Sequence, residues 1–351
     1  MNVQANVVIQ TAFLGDLILS IPLFKRLKET QPKLSLIVVC KKGLGDFLIQ
    51  EKIADQCIEI TKGDKKSYQT ALNILEKFEI ENIYCVHRSI RSLLFAAQIR
   101  AKKKIGFSSF FGFWVFDDQV DFADEWPEVL RIIKILETTD TVIYKSLSNV
   151  NWENLNDPNA DGVLPSVPDI FAFKKKYISK VPTKKIALFP GSVWATKKWT
   201  EAGFVAVANF FLKEGYTVDL MGGPDEKQLC EQIASAAPQA TLWAGRLSIA
   251  ESVQAIANYD LVICNDSAAA HMASYQCTPV LTIFGPTTLN LGFRPWSNSA
   301  IIVENNGLDC RPCGKHGHQK CPLGHHNCMN LIGPQQVIDA ALFLISKSYS
   351  A

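Results

Sequence analysis

The sequence predicts an α/β protein of two Rossmann-like domains, each a parallel sheet wound with helices. Three features predict it. The chain is 351 residues long and 48% hydrophobic, enough for two cores. Short β-rich runs alternate with longer amphipathic runs in the front part of the chain, and the alternation resumes after Lys184 beyond a polar, proline-spotted segment. Alternation of this kind builds βαβ units and therefore parallel sheets.

The elements follow in order. The first domain, residues 1–165, opens with "NVVIQTA" as a strand, then a helix from about Asp16 to Glu29, the strand "LSLIVVC" and a helix near Leu44 to Glu51. The helical "SYQTALNILEKF" and the strand "NIYCVH" come next. "IGFSSFFGFWVF", residues 105–116, reads as a buried strand and turn, with a lip that touches lipid as the alternative. The linker falls within residues 155–183, in or after "NVNWENLNDPNADGVLPSVPD". The second domain, residues 183–330, runs from "KKIALFPGS" through a helix at Glu201 to Glu214, "YTVDLMGG", a helix from Pro224, the helix "SIAESVQAIANY", "LVICN" and "VLTIFG". A closing helix in residues 331–351, "PQQVIDAALFLISKS", follows the completed sheet and is free to pack back across the cleft.

Net charge is +2 with 20% charged residues, which points to no nucleic-acid partner and no disordered chain. The charge is uneven: residues 1–116 hold 17 Lys and Arg against 10 Asp and Glu. The front of the chain therefore favours an anionic partner. "MNVQANVVIQTAF" lacks a basic region before an apolar stretch, and no apolar run reaches the roughly 18 residues a membrane span needs. A cytoplasmic protein is expected. Six cysteines are scattered in apolar contexts, while Cys310, Cys313, Cys321 and Cys328 cluster late with four histidines among them.

In doubly wound sheets ligands bind beyond the carboxyl ends of the strands, so strand-to-helix junctions are where function is sought. Three stand out. In "ICNDSAAAHMASY", Asp266 or Ser267 caps a helix whose first amides, from Ser267 to His271, form an anion seat suited to phosphate. In "LFPGSVWATKKWT", Ser192 and Thr196 offer hydroxyls and Lys197 a point charge for the same purpose. In "TAFLGDLILS", Gly15 permits a tight turn and Asp16 presents a carboxylate from the other domain, suited to deprotonate a hydroxyl nucleophile. Neither a Walker loop nor Gly-x-Gly-x-x-Gly is present. The bland readings are ordinary helix caps, a solvated basic loop and a core histidine.

Together "LGDLILSIPLFKRLKETQP", "FPGSVWATKKW", "MGGPDE" and "NDSAAAHMASYQCTPVLTIFGPT" resemble glycosyltransferase family nine, the heptosyltransferases of lipopolysaccharide core assembly. The late "CRPCGKHGHQKCPLGHHNCM" is similar to the tail of the heptosyltransferase II branch. The resemblance implies a GT-B fold, with two domains facing across a cleft. It also implies inverting transfer of L-glycero-D-manno-heptose from ADP-heptose to the heptose/Kdo-lipid A inner core, with peripheral contact at the inner membrane. Asp16 matches the catalytic carboxylate, and Lys197 the diphosphate-binding lysine with Ser192 and Thr196 beside it. Asp266, Ser267, Ala268 and His271 match the donor-diphosphate loop, and Glu226 a ribose contact. Arg88 and Arg91 in "VHRSIRS" are the acceptor candidates; the run Lys102 to Lys104 is a weaker one.

One departure is that the family loop carries Gly and Pro where this chain has Ala268 and Ala269. Glycine tolerates positive φ and close phosphate approach, so Ala268 bears on the loop geometry. No cofactor is required by the resemblance. The first cysteine pair has the C-x2-C spacing of a zinc knuckle, so Cys310, Cys313, Cys321 and Cys328, or three of them with an imidazole, are candidates for a structural zinc. The competing functions are a family-nine transferase of another sugar or a later heptose, and a non-catalytic nucleotide-sugar sensor that uses the Cys/His cluster.

Overall fold

A computed structural model describes residues 3–173 and 182–349. The chain divides into two compact units, Met1–Asn151 and Trp152–Ala351.

The first unit holds β1 (Val3–Gln10), β2 (Ser35–Lys41), β3 (Gln56–Ile60), β4 (Phe78–Cys85), β5 (Lys103–Phe107) and β6 (Asp118–Val120). They pair in the order β3-β2-β1-β4-β5-β6, every neighbouring pair parallel. Residues 5–10 of β1 are all buried, as a central strand covered on both faces requires, which is why Val7, Val8 and Ile9 run apolar without alternation and the buried Asn6 and Gln10 donate to Gln31 and Ser20 side chains. The order reverses at β1, so the junction after β1 lies at the switch point where such sheets bind ligands. Around the sheet lie α1 (Leu14–Leu19), α2 (Ile21–Thr30), α3 (Gly45–Gln50), α4 (Lys65–Leu75), α5 (Ile90–Gln98), α6 (Glu128–Ile133) and α7 (Thr141–Ser148).

The single helix expected from Asp16 to Glu29 is in fact α1 and α2, broken at Ser20. Pro22 in the first turn of α2 has no amide to continue α1, and the Ser20 hydroxyl donates to the Asp16 carbonyl at 2.8 Å. Gly15 lies inside α1 and has no left-handed φ, so the turn assigned to it is absent. Asp64, Ser89 and Asp140 cap α4, α5 and α7 through their side chains.

The second unit holds α8 (Trp152–Leu155), β7 (Lys185–Phe189), α9 (Glu201–Lys213), β8 (Thr217–Leu220), α10 (Lys227–Ala236), β9 (Thr241–Leu242) and α11 (Ile249–Ile256). It continues through β10 (Leu261–Asn265), α12 (Ala268–Tyr275), β11 (Val280–Phe284), β12 (Ala300–Glu304), α13 (Asn327–Asn330) and α14 (Pro334–Tyr349). Its sheet order is β12-β11-β10-β7-β8-β9, again parallel throughout. The apolar stripe of α14, including Val337, Ala341 and Leu344, joins the core formed by Leu188, Ile263 and Leu281. The burial demand of the closing helix, expected to return across the cleft, is met within the second unit.

Most of the predicted linker is also built into this unit. Arg294, wholly buried, donates to the carbonyls of Leu155 and Pro165, and Trp296 Nε1 donates to Phe171 O at 2.8 Å. Ile302 N donates to Gly162 O at 2.8 Å. A boundary at 165 thus moves to 151. Composition cannot show this, because the partners that order the segment lie more than a hundred residues later. The rest of the expected linker, residues 174–181, lies outside the described residues.

Candidate functional site

In the first unit the junctions after β1, β2, β3 and β4 share the carboxyl edge of one parallel sheet. Asp16, half-buried in α1, accepts from the Phe13 amide at 3.2 Å. The Phe13 ring is itself exposed and has Lys41 Nζ and Lys62 Nζ each 5.3 Å from its centroid. Burial lowers the Lys62 pKa, and the charges of Lys41 and Arg91 lower it further while Asp16 opposes them. Four charged groups therefore sense one another here, three cationic and one anionic. Lys41 and Lys62 were not foreseen, because neither lies in a quoted motif and only the sheet order brings them to Arg91.

His87 closes the floor of this edge. Its Nδ1 lies 2.7 Å from Thr11 Oγ1 and 3.0 Å from Ser92 Oγ, and burial followed by the charges of Lys62 and Arg91 pushes its pKa down to about 4. Arg88 stacks 3.9 Å over the Phe122 ring and lies 3.8 Å from Asp124. On α6, Glu128 is held by Arg131 at 2.8 Å. Burial first, opposed by Arg131 and reinforced by the charge of Asp16, raises its pKa to about 7. Glu128 is a second carboxylate in the field of Asp16, which no motif announced. The Lys102–Lys104 run is already occupied: Lys102 pairs with Glu79 and Glu81, Lys103 with Asp118, and Lys104 Nζ donates to Ala97 O.

In the second unit, the loops after β7 and β10 meet. Lys197 and Asp266 form a buried ion pair at 2.6 Å, and the Thr287 hydroxyl donates to the same Asp266 oxygen at 2.6 Å. Asn265, wholly buried, staples the two loops: its amide donates to Pro190 O at 2.8 Å and its carbonyl accepts from Trp199 N at 2.9 Å. Neither Asn265 nor Thr287 was singled out from sequence, although they are the two ends of the quoted "NDSAAAHMASYQCTPVLTIFGPT" stretch, since their partners Pro190, Trp199 and Asp266 are fixed only by the fold.

Ser267, not Asp266, caps α12. Its hydroxyl accepts from Ala269 N at 3.4 Å and its carbonyl from Ala270 N at 3.2 Å, so the anion seat is narrower than the five amides expected. Ala268 opens the helix without a left-handed φ; among the described residues the non-glycines with positive φ are Lys52, Lys184, Cys277 and His326. The substitution for Gly thus carries no backbone strain. His271 is buried, its Nδ1 has no hydrogen-bond partner among the described residues, and burial pushes its pKa down to about 4. It is neutral at neutral pH.

Glu226 accepts from Gly223 N at 2.8 Å, and its carboxylate lies against Gly191 and Gly222. A Cβ at Gly191 would strike that carboxylate, so glycine there is what admits Glu226 to the β7 junction. Ser192 is buried at the same junction. Thr196 differs from expectation. Its hydroxyl accepts from His318 N at 2.8 Å and donates to His318 O at 2.7 Å, so it fastens a loop instead of facing a ligand.

That fastened loop belongs to the Cys/His segment. Among the described residues no group of three or more His, Cys, Asp or Glu side chains is placed to hold a metal ion. The Cys313 thiol donates to Cys310 O at 2.9 Å, and Cys328 is buried in the core of the second sheet, which pushes its pKa up to about 11. Burial raises the Cys321 thiol pKa, but hydrogen bonds from the backbone of His326, Leu323, Gly324 and His325 outweigh it and hold the thiol below its ordinary range. The segment acts as a strap. His326 Nε2 lies 2.7 Å from Thr196 O, and His316 stacks on Trp194. Gln319 bonds Val193 O and Ala195 N. Arg311 donates to the carbonyls of Gly285, Thr287 and Asn305 and pairs with Glu304 at 2.5 Å. Both loops that place the Lys197–Asp266 pair are therefore tied from one side.

Comparison with known proteins agrees with this architecture. The chain is 30% identical over 188 residues to lipooligosaccharide heptosyltransferase 2 of Campylobacter jejuni, covering 52% of this chain and 58% of that relative. It is 38% identical over 109 residues to lipopolysaccharide heptosyltransferase 3 of Escherichia coli, covering 30% of this chain and 32% of that relative. In such matches the chain spans about half the length of the curated relatives. In fold it is similar to the E. coli ADP-heptose lps heptosyltransferase II structure, with a TM-score of 0.72 at 19% identity over 98% of this chain and 99% of that one. Residues 75–323, spanning the acceptor candidates, the Lys197 and Asp266 junctions and most of the strap, match Glycosyltransferase family 9 (heptosyltransferase), and the chain belongs to that family.

Proposed function

We propose that the protein is an inverting glycosyltransferase of lipopolysaccharide core assembly that moves L-glycero-D-manno-heptose from ADP-heptose to the heptose/Kdo-lipid A inner core. The observation that carries this reading is the buried Lys197–Asp266 pair at the mouth of α12, in a chain that matches family nine across that region. In this reading the second unit binds the donor. Lys197 exchanges Asp266 for the diphosphate, the amides at the start of α12 and Ser192 donate alongside, and Glu226 takes the ribose. Charge that grows on the departing ADP is met by an ammonium and N–H dipoles already in place.

The first unit takes the acceptor. Asp16 accepts the proton of the attacking hydroxyl as the new bond to the anomeric carbon forms on one face of the sugar and the bond to the diphosphate breaks on the other. Arg88 and Arg91, joined by Lys41 and Lys62, meet the anionic groups of the glycolipid. An acceptor anchored in a leaflet entails peripheral contact with the inner membrane from its cytoplasmic side. A sensor that binds nucleotide-sugar without turnover loses its motif-level support, because Ala268 sits unstrained in the helix start.

The test is incubation of ADP-heptose with truncated core acceptors, followed by product mass and ADP release. The reading predicts one added heptose per acceptor and stoichiometric ADP. Binding of ADP-heptose with no product on any core acceptor would support the sensor, and turnover only with another sugar nucleotide would reassign the donor.

A further inference from the structure

The segment 105–116, read as a buried strand and turn, splits in two. Gly106 and Phe116 face inward, with the Phe116 ring packed where a Gly106 Cβ would be, and Val115 and Phe116 pack against the core of the first sheet. Phe110, Phe111, Phe113 and Trp114 face outward, 86%, 56%, 71% and 79% exposed. The turn is held in this form: Gly112 N donates to Ser109 O at 3.0 Å, Phe116 N to Gly112 O at 2.9 Å, and Asp117 N to Lys104 O at 2.8 Å. The rings pair edge to face, Phe110 with Phe111 and Phe113 with Trp114. Isolated exposed apolar residues are ordinary, but four aromatic rings in five residues on a fastened turn are not.

The patch extends onto α5. Ile90 and Leu94, one helical turn apart, are 64% and 58% exposed, and Ile90 and Phe111 line one cleft of about 120 Å³ with Arg88 at its rim. The stretch of chain that carries this patch is cationic, with Asp121 and Asp124 beside it, the former bonded by Ser108 and the latter 3.8 Å from Arg88. From Asn82 to Phe116 the chain carries six Lys or Arg and no Asp or Glu. Lys102 and Lys103 are spent on carboxylates elsewhere and Arg88 faces Asp124 at 3.8 Å, while the exposed Arg91 stands beside the apolar Ile90. Aromatic rings beside guanidinium groups suit the interface of a bilayer whose headgroups are anionic, where ring faces enter the acyl boundary and cations meet phosphate. Among the described residues no helix is long and apolar enough to cross a membrane, so attachment through this face would be peripheral.

We propose that the turn Phe110–Trp114, with the exposed face of α5, is a docking surface for an anionic lipid bilayer. It deepens the reading of the acceptor as a membrane glycolipid and rests on it for its purpose, but its test needs neither donor nor acceptor. The full-length protein is mixed with sedimenting vesicles of phosphatidylethanolamine and phosphatidylglycerol, or of phosphatidylcholine alone. The wild type should bind the anionic vesicles, and the variant Phe110→Ser/Phe113→Ser/Trp114→Ser should bind at least about tenfold more weakly with an unchanged melting temperature. As a second readout, brominated lipid should quench wild-type tryptophan emission more than that of Trp114→Phe. Equal binding by wild type and triple variant, or equal quenching in both proteins, overturns the proposal. So does a wild-type dimer that the triple variant breaks without any vesicle binding, which would make the patch a contact between copies. Transfer to a water-soluble core oligosaccharide should be unchanged in the triple variant. If wild type binds vesicles but transfers nothing, the transferase reading fails and the docking surface stands.

Discussion

At the scale of single residues, the account turns on groups held in costly states. Lys197 and Asp266 are both buried and satisfy each other at 2.6 Å. Removing one partner of such a pair leaves an uncompensated charge, and Lys197→Ala should cost about 3–5 kcal/mol in urea denaturation, less whatever Thr287 still supplies to Asp266. Lys197→Met/Asp266→Asn should recover most of that stability while ADP affinity stays about ten- to a hundredfold below wild type by calorimetry. Recovery of affinity along with stability would show that Lys197 serves packing alone. His271 gives a pH prediction. Its folded pKa is about 4 against an ordinary 6.5, so between those values the unfolded chain takes up a proton that the folded one refuses. Stability should fall as pH drops through that window, by about 3 kcal/mol at most, and His271→Gln should flatten the fall. His87, also near 4, contributes a separate share that the substitution leaves in place. Lys197, Asp266 and Asp16 were legible in the sequence because each sits at a strand-to-helix junction inside a motif. Lys41, Lys62 and Glu128 lie outside those motifs, and Asn265, though inside one, takes its meaning like them from which strands and helices become neighbours.

At the scale of elements, periodicity located the inner strands of each sheet, left the edge strands β3, β6, β9 and β12 unread and misjudged where helices stop. The break at Ser20 depends on a side-chain hydroxyl bonding back to Asp16 and on the position of Pro22, a local competition invisible to a hydrophobic pattern. The Cys/His segment shows a different limit: spacing of cysteines suggests ligands but says nothing of the bonds by which the same segment ties the β7 loop, such as that of Thr196 to His318. Its work as a strap is testable. Thr196→Val removes two hydrogen bonds to His318 without touching Lys197, and it should weaken ADP binding several-fold, about 1 kcal/mol per bond lost. Faster amide exchange across residues 190–198 should accompany it. Unchanged affinity and exchange would mean the strap does not position the loop. Dialysis against a strong chelator should leave both the melting temperature and ADP affinity of the wild type unchanged if the strap holds by these bonds alone; a drop in either would show a structural metal.

At the scale of the whole molecule, two parallel sheets were readable from alternation, because a strand covered on both faces must be apolar and must be followed by a crossover, whereas the edge strands β3, β6, β9 and β12 that bring each sheet to six were not. Where one unit gives way to the other was not readable. Arg294 and Trp296 recruit residues 155–171 into the second unit, and no composition statistic reports a guanidinium bonding carbonyls so far back in the chain. The division of labour proposed for the units separates two measurable quantities, donor affinity and turnover. Substitutions in the second unit should move the first, and substitutions at Asp16 should move only the second.

Single-turnover transfer from ADP-heptose to a truncated core acceptor, with ADP affinity measured alongside, compares wild type with Asp16→Ala most directly. The account predicts that the variant binds ADP within about twofold of wild type while its rate falls by about a hundred- to ten-thousandfold, the range expected for loss of a general base. A variant that transfers heptose at the wild-type rate would contradict it.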